Sequence, residues 1–179
     1  MNKKQKGFSL IELLIVVAII LIIAAIAIPN LLRSRMAANE ASAVGSIRTI
    51  NTAQVTYNST YNDGFSPNLA TMGGPAGAAA TCNQAELIDP LLSAGQKTGY
   101  TFVVGPGSVP VTTVPAGCGG PGNVDGYTVT GTPVSVGTTG QRAFCSDGSG
   151  VIQFNSTGAA IAPGAAPPIC PAGLSSLGN

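Results

Sequence analysis

From Leu13 to Ile28 the chain carries no polar side chain, and extending back to Phe8 gives 21 residues interrupted only by Ser9 and Glu12. A helix of about 20 apolar residues is long enough to cross the hydrocarbon core of a bilayer. Between Leu10 and Ile28 fourteen side chains are Leu, Ile or Val. At roughly 1.5–3 kcal/mol each, leaving them in water forfeits on the order of 20–40 kcal/mol. The segment therefore belongs in lipid or inside a protein assembly. Lys3, Lys4 and Lys6 precede it, an arrangement that holds the N-terminus on the cytoplasmic side and sends the rest outside. Glu12 is the anomaly, because an acid within an apolar helix is costly and marks a functional site by default. The plainer reading places it near the interface, where it reaches the headgroups and gains from the positive end of the helix dipole. Taken alone, the residue leaves both readings open.

Its neighbours discriminate. The string Lys3-Lys4-Gln5-Lys6-Gly7-Phe8-Ser9-Leu10-Ile11-Glu12 resembles the class III leader of type IV pilins and the related pseudopilins, and Pro29 falls where that family carries a proline. The resemblance covers about the first 30 residues. It implies that a membrane prepilin peptidase cuts between Gly7 and Phe8 and that the new Phe8 amine is methylated by the same system. It also implies that Glu12 pairs with the terminal amine of a neighbouring subunit during assembly. The chemistry is reasonable in itself, since a carboxylate removed from water requires a cation. Implied partners are further copies of the chain in a helical homopolymer, the peptidase/N-methyltransferase, the pilus assembly machinery and, before assembly, the bacterial inner membrane. The implied destination is a pilus on the cell surface.

Apolar periodicity continues past Pro29 through Leu32, Met36, Ala37, Ala41, Val44, Ile47, Ile50, Gln54, Tyr57 and Tyr61, with Arg33, Glu40 and Arg48 between. That spacing predicts an amphipathic helix ended by Asn62-Asp63-Gly64. Pro29 removes one backbone hydrogen bond and is expected to kink or open the helix, or to divide it in two. Beyond it, Tyr100–Val104, Tyr127–Thr130, Arg142–Cys145 and Val151–Phe154 read as short strands between Gly/Pro-rich turns, with Asp147-Gly148 a hairpin signal. A helical turn is expected within Ala85–Leu92, stopped by Pro90 or Gly95, and the segments 105–126 and 155–179 read as irregular. The expected fold class is α+β. A long helix, its first half membrane-spanning, leads into a head with a small antiparallel sheet of about four strands and long loops. The expected organisation is a leader at 1–7, a membrane or filament-core helix at 8–29, an amphipathic continuation at 30–61 and a head at 62–179.

Composition limits what the head can do. Charged residues are 8% of the chain, histidine is absent, and beyond Tyr61 the net charge is −3. No basic stripe exists there to neutralise phosphates, which argues against nucleic-acid binding. Without histidine a Ser or Cys nucleophile lacks its usual base, and no paired-carboxylate or phosphate-loop motif appears. No catalysis and no cofactor are expected. Cys82, Cys118, Cys145 and Cys170 show no metal-ligand spacing and read as two disulfides in an oxidising compartment. Of the three connectivities, Cys82–Cys118 with Cys145–Cys170 is preferred.

Weaker signals carry bland readings. Asn58-Ser59-Thr60 and Asn155-Ser156-Thr157 fit the N-glycosylation pattern by chance in a chain rich in these residues. Asp125 and Asp147 could donate oxygens to calcium, but no EF-hand pattern surrounds them and solvated turn aspartates are the expectation. The expected function is a structural pilus subunit. The alternatives are a pseudopilin of a type II secretion system, an adhesin at a fibre tip, or a secreted binding domain released by signal peptidase I after Ala25-Ile26-Ala27.

Overall fold

The computed structural model describes residues 8–62, 64–75, 77, 79–107, 125–163 and 168–177. The chain divides into two compact units, Met1–Arg35 and Met36–Asn179. One helix, α1, covers Leu10–Tyr61 and passes through Pro29 without interruption. The division into two helices, left open by the sequence, does not occur. Pro29 lacks an N–H, and beside it the Asn30 side chain donates to the Ile26 carbonyl at 3.1 Å. Leu69–Met72 (α2) and Pro90–Ser93 (α3) are single helical turns.

The second unit has an α+β fold. Its sheet has six strands: β1 (Gln96–Lys97), β2 (Tyr100–Pro106), β3 (Tyr127–Pro133), β4 (Ala143–Asp147), β5 (Ile152–Asn155) and β6 (Ser175–Ser176). They pair in sequence order, all antiparallel. The four expected strands are present with shifted ends, and the two-residue edge strands are additions too short to leave a pattern in the sequence. Arg142 lies just outside β4 rather than opening it. The expected helical turn at Ala85–Leu92 forms later, as α3. Pro90 starts this turn instead of stopping it, because proline suits the first helical position, where no N–H is needed. Asp89 caps the turn by accepting from the Leu92 N–H at 3.0 Å.

The core lies between one stripe of α1 and the inner face of the sheet. Ala43, Ile47, Ile50, Ala53 and Tyr57 are buried with Tyr100, Phe102, Val129, Phe144 and Ile152. Gly131, which pairs with Phe102 and Phe144 across the sheet, sits beneath this contact. A Cβ there would come within 3.1 Å of the Phe102 ring and 3.4 Å of Ile47, so a larger residue would require these side chains to give way by a few tenths of an ångström. The expected stripe holds from Ile47 to Tyr57, but Leu32, Ala37 and Ala41 are exposed. Gln54 belongs to it despite its polarity. Its amide donates to the Ser66 carbonyl at 2.9 Å and accepts from the Ser66 N–H at 2.8 Å, which satisfies both ends of a buried polar group.

Glu40 is the main correction. Placed by the sequence on the polar face, it is 7% exposed. Its carboxylate accepts from the N–H groups of Gln141 and Arg142 at 2.7 and 3.1 Å and meets the Arg142 guanidinium at 2.7–2.8 Å. Arg142 also lies over the Phe144 and Phe154 rings. The Tyr100 hydroxyl donates to the Arg142 carbonyl at 2.8 Å. Burial pushes the Tyr100 phenol well up, and the Glu40 charge adds to this, so the donor stays protonated.

The C-terminal segment is tied down covalently and by charge. Cys145 and Cys170 form a disulfide, as preferred from the sequence. Cys82 is disulfide-bonded; Cys118, its expected partner, lies outside the described residues. Next to the bridge, Asp147 accepts from the Ser149 N–H at 2.9 Å and the Cys170 N–H at 3.1 Å. Burial alone would raise its pKa. The hydrogen bonds from Ser149 and Cys170 outweigh burial and hold it below the ordinary 3.8. The Asp147-Gly148 signal is thereby explained as a hairpin whose turn the aspartate itself caps.

Two expectations follow. Glu40→Ala leaves two inward N–H groups and a guanidinium without their acceptor, which should cost about 2–3 kcal/mol, read by thermal unfolding in detergent, with Glu40→Gln intermediate. Asp147 has a depressed folded pKa, so its contribution is complete above about pH 4 and is lost as pH falls through that lower value. Asp147→Asn should therefore flatten the loss of stability below about pH 4, measured as the midpoint of chemical unfolding against pH.

Candidate functional site

The sequence-selected residues gather at the start of α1. Phe8 and Ser9 precede the helix, Leu10 is its first residue and Glu12 lies in its first turn. The Leu13 N–H donates to the Ser9 carbonyl at 3.3 Å, so Ser9 occupies the N-cap position. The Ser9 N–H in turn donates to a Glu12 carboxylate oxygen at 2.9 Å. Ser9-Leu10-Ile11-Glu12 is thus the carboxylate half of a capping box, in which an acid three residues inside the helix reaches back to the cap. The S-x-x-E spacing was visible in the sequence and its capping meaning was missed there. Near the positive end of the helix dipole, a carboxylate is also electrostatically favoured.

Phe8, 90% exposed, immediately precedes Ser9, whose N–H holds Glu12. A cation created at the Phe8 nitrogen would stand beside a carboxylate already oriented towards the helix start. Gly7, on the other side of the expected cut, lies outside the described residues.

Beyond this cap the helix presents apolar side chains on all sides. Leu13, Ile19, Ile20, Leu21, Ile22, Ile23 and Ile26 are each more than half exposed. The helix is long and apolar enough to cross a membrane, and none of its most apolar stretch is buried within the chain. An exposed apolar surface of this extent marks an interaction with lipid or protein. The cysteines, Asp125 and Asp147 all belong to the second unit, and among the described residues no group of His, Cys, Asp or Glu is arranged to hold a metal.

Residues 2–28 match the family model described as the prokaryotic N-terminal methylation motif. The chain is 37% identical over 105 residues to the type IV major pilin protein PilA of Myxococcus xanthus, covering 52% of this chain and 48% of that protein. It is 63% identical over 38 residues to the type IV wide pilus major component PilA4 of Thermus thermophilus, covering 21% of this chain and 29% of that one. The chain therefore matches less than half of the length of each of these relatives. No solved structure matches it.

The capping geometry has a direct consequence. Glu12→Ala should fray the first turn, seen as faster amide exchange at Ser9 and a loss of about 0.5–1 kcal/mol of local protection, whereas Glu12→Gln, which keeps an acceptor oxygen, should retain most of it.

Proposed function

We propose that this chain, whose N-terminal segment belongs to the type IV pilin family, is a structural subunit of an extracellular type IV pilus filament. The observation that carries the reading is the uninterrupted apolar surface of α1 directly behind the Phe8–Glu12 start. In this reading the leader is removed between Gly7 and Phe8, the Phe8 amine is methylated, and the subunit waits in the inner membrane. Assembly then moves the helix from lipid into a bundle of identical helices. Lipid already solvates Leu, Ile and Val, so no large hydrophobic gain drives that transfer. Close packing and charge pairing must supply the specificity.

Glu12 is the natural register element. In the isolated chain its carboxylate rests on the Ser9 N–H, a neutral donor and hence a weaker partner than a charged amine. An amine from an adjacent subunit can displace that bond with a net gain, and only at an axial offset that brings the two groups together. A structural role also suits a second unit of low charge with no histidine, tightened by disulfides. The named relatives are a major pilin and a wide-pilus major component. The major-component role is part of the proposal.

Mass analysis of the mature N-terminus should give N-methylated Phe8; an unmodified Ile28 would replace the reading with a secreted domain. Ile19→Lys should abolish surface fibres in electron micrographs while leaving the processed subunit in the membrane, because a charge in the packed bundle costs several kcal/mol. Glu12→Ala should lower fibre yield roughly tenfold or more, the loss expected for about 1.4 kcal/mol of a charge-assisted contact, whereas normal yield would remove the register role. Long fibres, rather than short assemblies confined to a secretion system, separate pilin from pseudopilin.

A further inference from the structure

Just past the apolar stretch, α1 carries two arginines that the filament reading leaves without a task. Arg33 and Arg35 are both exposed. The ion pairs among the described residues are Lys97–Asp89 and Arg142–Glu40, and neither arginine takes part in them. Membrane proteins concentrate such residues on the cytoplasmic side. These two lie at the opposite end of the segment from the leader lysines and run against that bias, so a specific interaction should repay their presence.

We infer that Arg33 and Arg35 bind the phosphates of outer-leaflet phospholipid headgroups and so fix the depth at which the subunit waits in the membrane. Three observations favour lipid over a second copy of the chain. Successive helical residues turn by about 100°, so Arg33 and Arg35 lie about 200° apart and share no face. A headgroup layer surrounds the helix and reaches both, whereas one neighbouring chain faces only one side. The described carboxylates are also already engaged within the chain. Glu40 holds Arg142, Asp89 holds Lys97, Asp147 holds Ser149 and Cys170, Glu86 and Asp125 have interactions of their own, and Glu12, which rests on the Ser9 N–H in the single chain, is the group the filament reading pairs with a neighbour's Phe8 amine.

The third observation is distance. Phe8 lies 25 residues before Arg33, which is about 38 Å of helix against about 30 Å of hydrocarbon. With the guanidiniums at the outer phosphates, Phe8 reaches the inner headgroup layer and Glu12 sits about one turn inside it. Guanidinium forms paired hydrogen bonds with phosphate oxygens, and each arginine at an anionic surface contributes about 1 kcal/mol. The pair would thus hold every waiting subunit at one level and keep the Gly7–Phe8 bond at the inner surface, accessible to a peptidase there. This consequence rests on the pilin reading; the lipid contact itself does not.

The chain has no tryptophan, so Ile26→Trp supplies a single depth reporter about 10 Å below Arg33. The full chain would be reconstituted in phosphatidylcholine vesicles with and without phosphatidylglycerol. Indole depth would be read by quenching with lipids brominated at stepped acyl positions. In vesicles containing phosphatidylglycerol, adding Arg33→Gln and Arg35→Gln should let the indole sink by about 3 Å, two residues of helical rise. Arg33→Lys with Arg35→Lys should hold it near the parent depth. Unchanged depth in the glutamine pair overturns the proposal, as does a lysine pair that behaves like the glutamine pair. A loss of copy-to-copy crosslinking with no change in depth would assign the arginines to a protein partner and overturn it as well. Depth is measured on dispersed chains. Its outcome is therefore separate from that of the filament reading, which stands on the methylated Phe8 and on fibres.

Discussion

The exposed apolar surface of α1 sets the terms for everything else in this molecule. An all-round Leu/Ile/Val helix has no soluble monomeric solution, because no part of its most apolar stretch is buried within the chain. In lipid or in a bundle, each backbone polar group near that segment must then be satisfied locally. The first turn meets this requirement by returning the Ser9 N–H to Glu12.

Glu12 caps the helix start and, in the proposed filament, would also take a partner from another subunit. Capping alone would be served by several polar side chains. A carboxylate adds a charge that a neutral N–H satisfies only partly, leaving a preference for a cation supplied later. In the proposed filament the same group would gain a charged partner. There such a cap would discriminate between correct and shifted neighbours, because the gain would appear at one axial offset only.

The second unit solves a different problem with few charges and short strands. Its helix stripe and sheet supply a modest core, which Leu69, Met72, Ala85, Ile88 and Leu92 of the connecting segment complete. Point ties compensate: the Glu40–Arg142 pair, the Gln54–Ser66 amide exchange, and the Cys145–Cys170 bridge with Asp147 beside it. Each joins residues that are distant or irregular, where regular secondary structure offers no ladder of bonds.

The long helix, its apolar first part, the leader-like string and the four principal strands were legible from one-dimensional patterns, whereas the Cys145–Cys170 pairing, one of three open connectivities, was decided by the fold. Periodicity and unbroken hydrophobicity are local properties, and local sequence carries them completely. Glu40 was not legible, because burying a carboxylate depends on Arg142 and two N–H groups about a hundred residues away. Pro90 was misread because a proline that stops one helix and a proline that starts another look the same until the chain direction around Asp89 is known. The edge strands β1 and β6 exist only because β2 and β5 offer them a partner. The sequence alone thus decided that this chain carries a helix that water rejects. The tertiary structure decided which polar groups could be hidden, since that depends on partners that only folding brings within hydrogen-bonding distance.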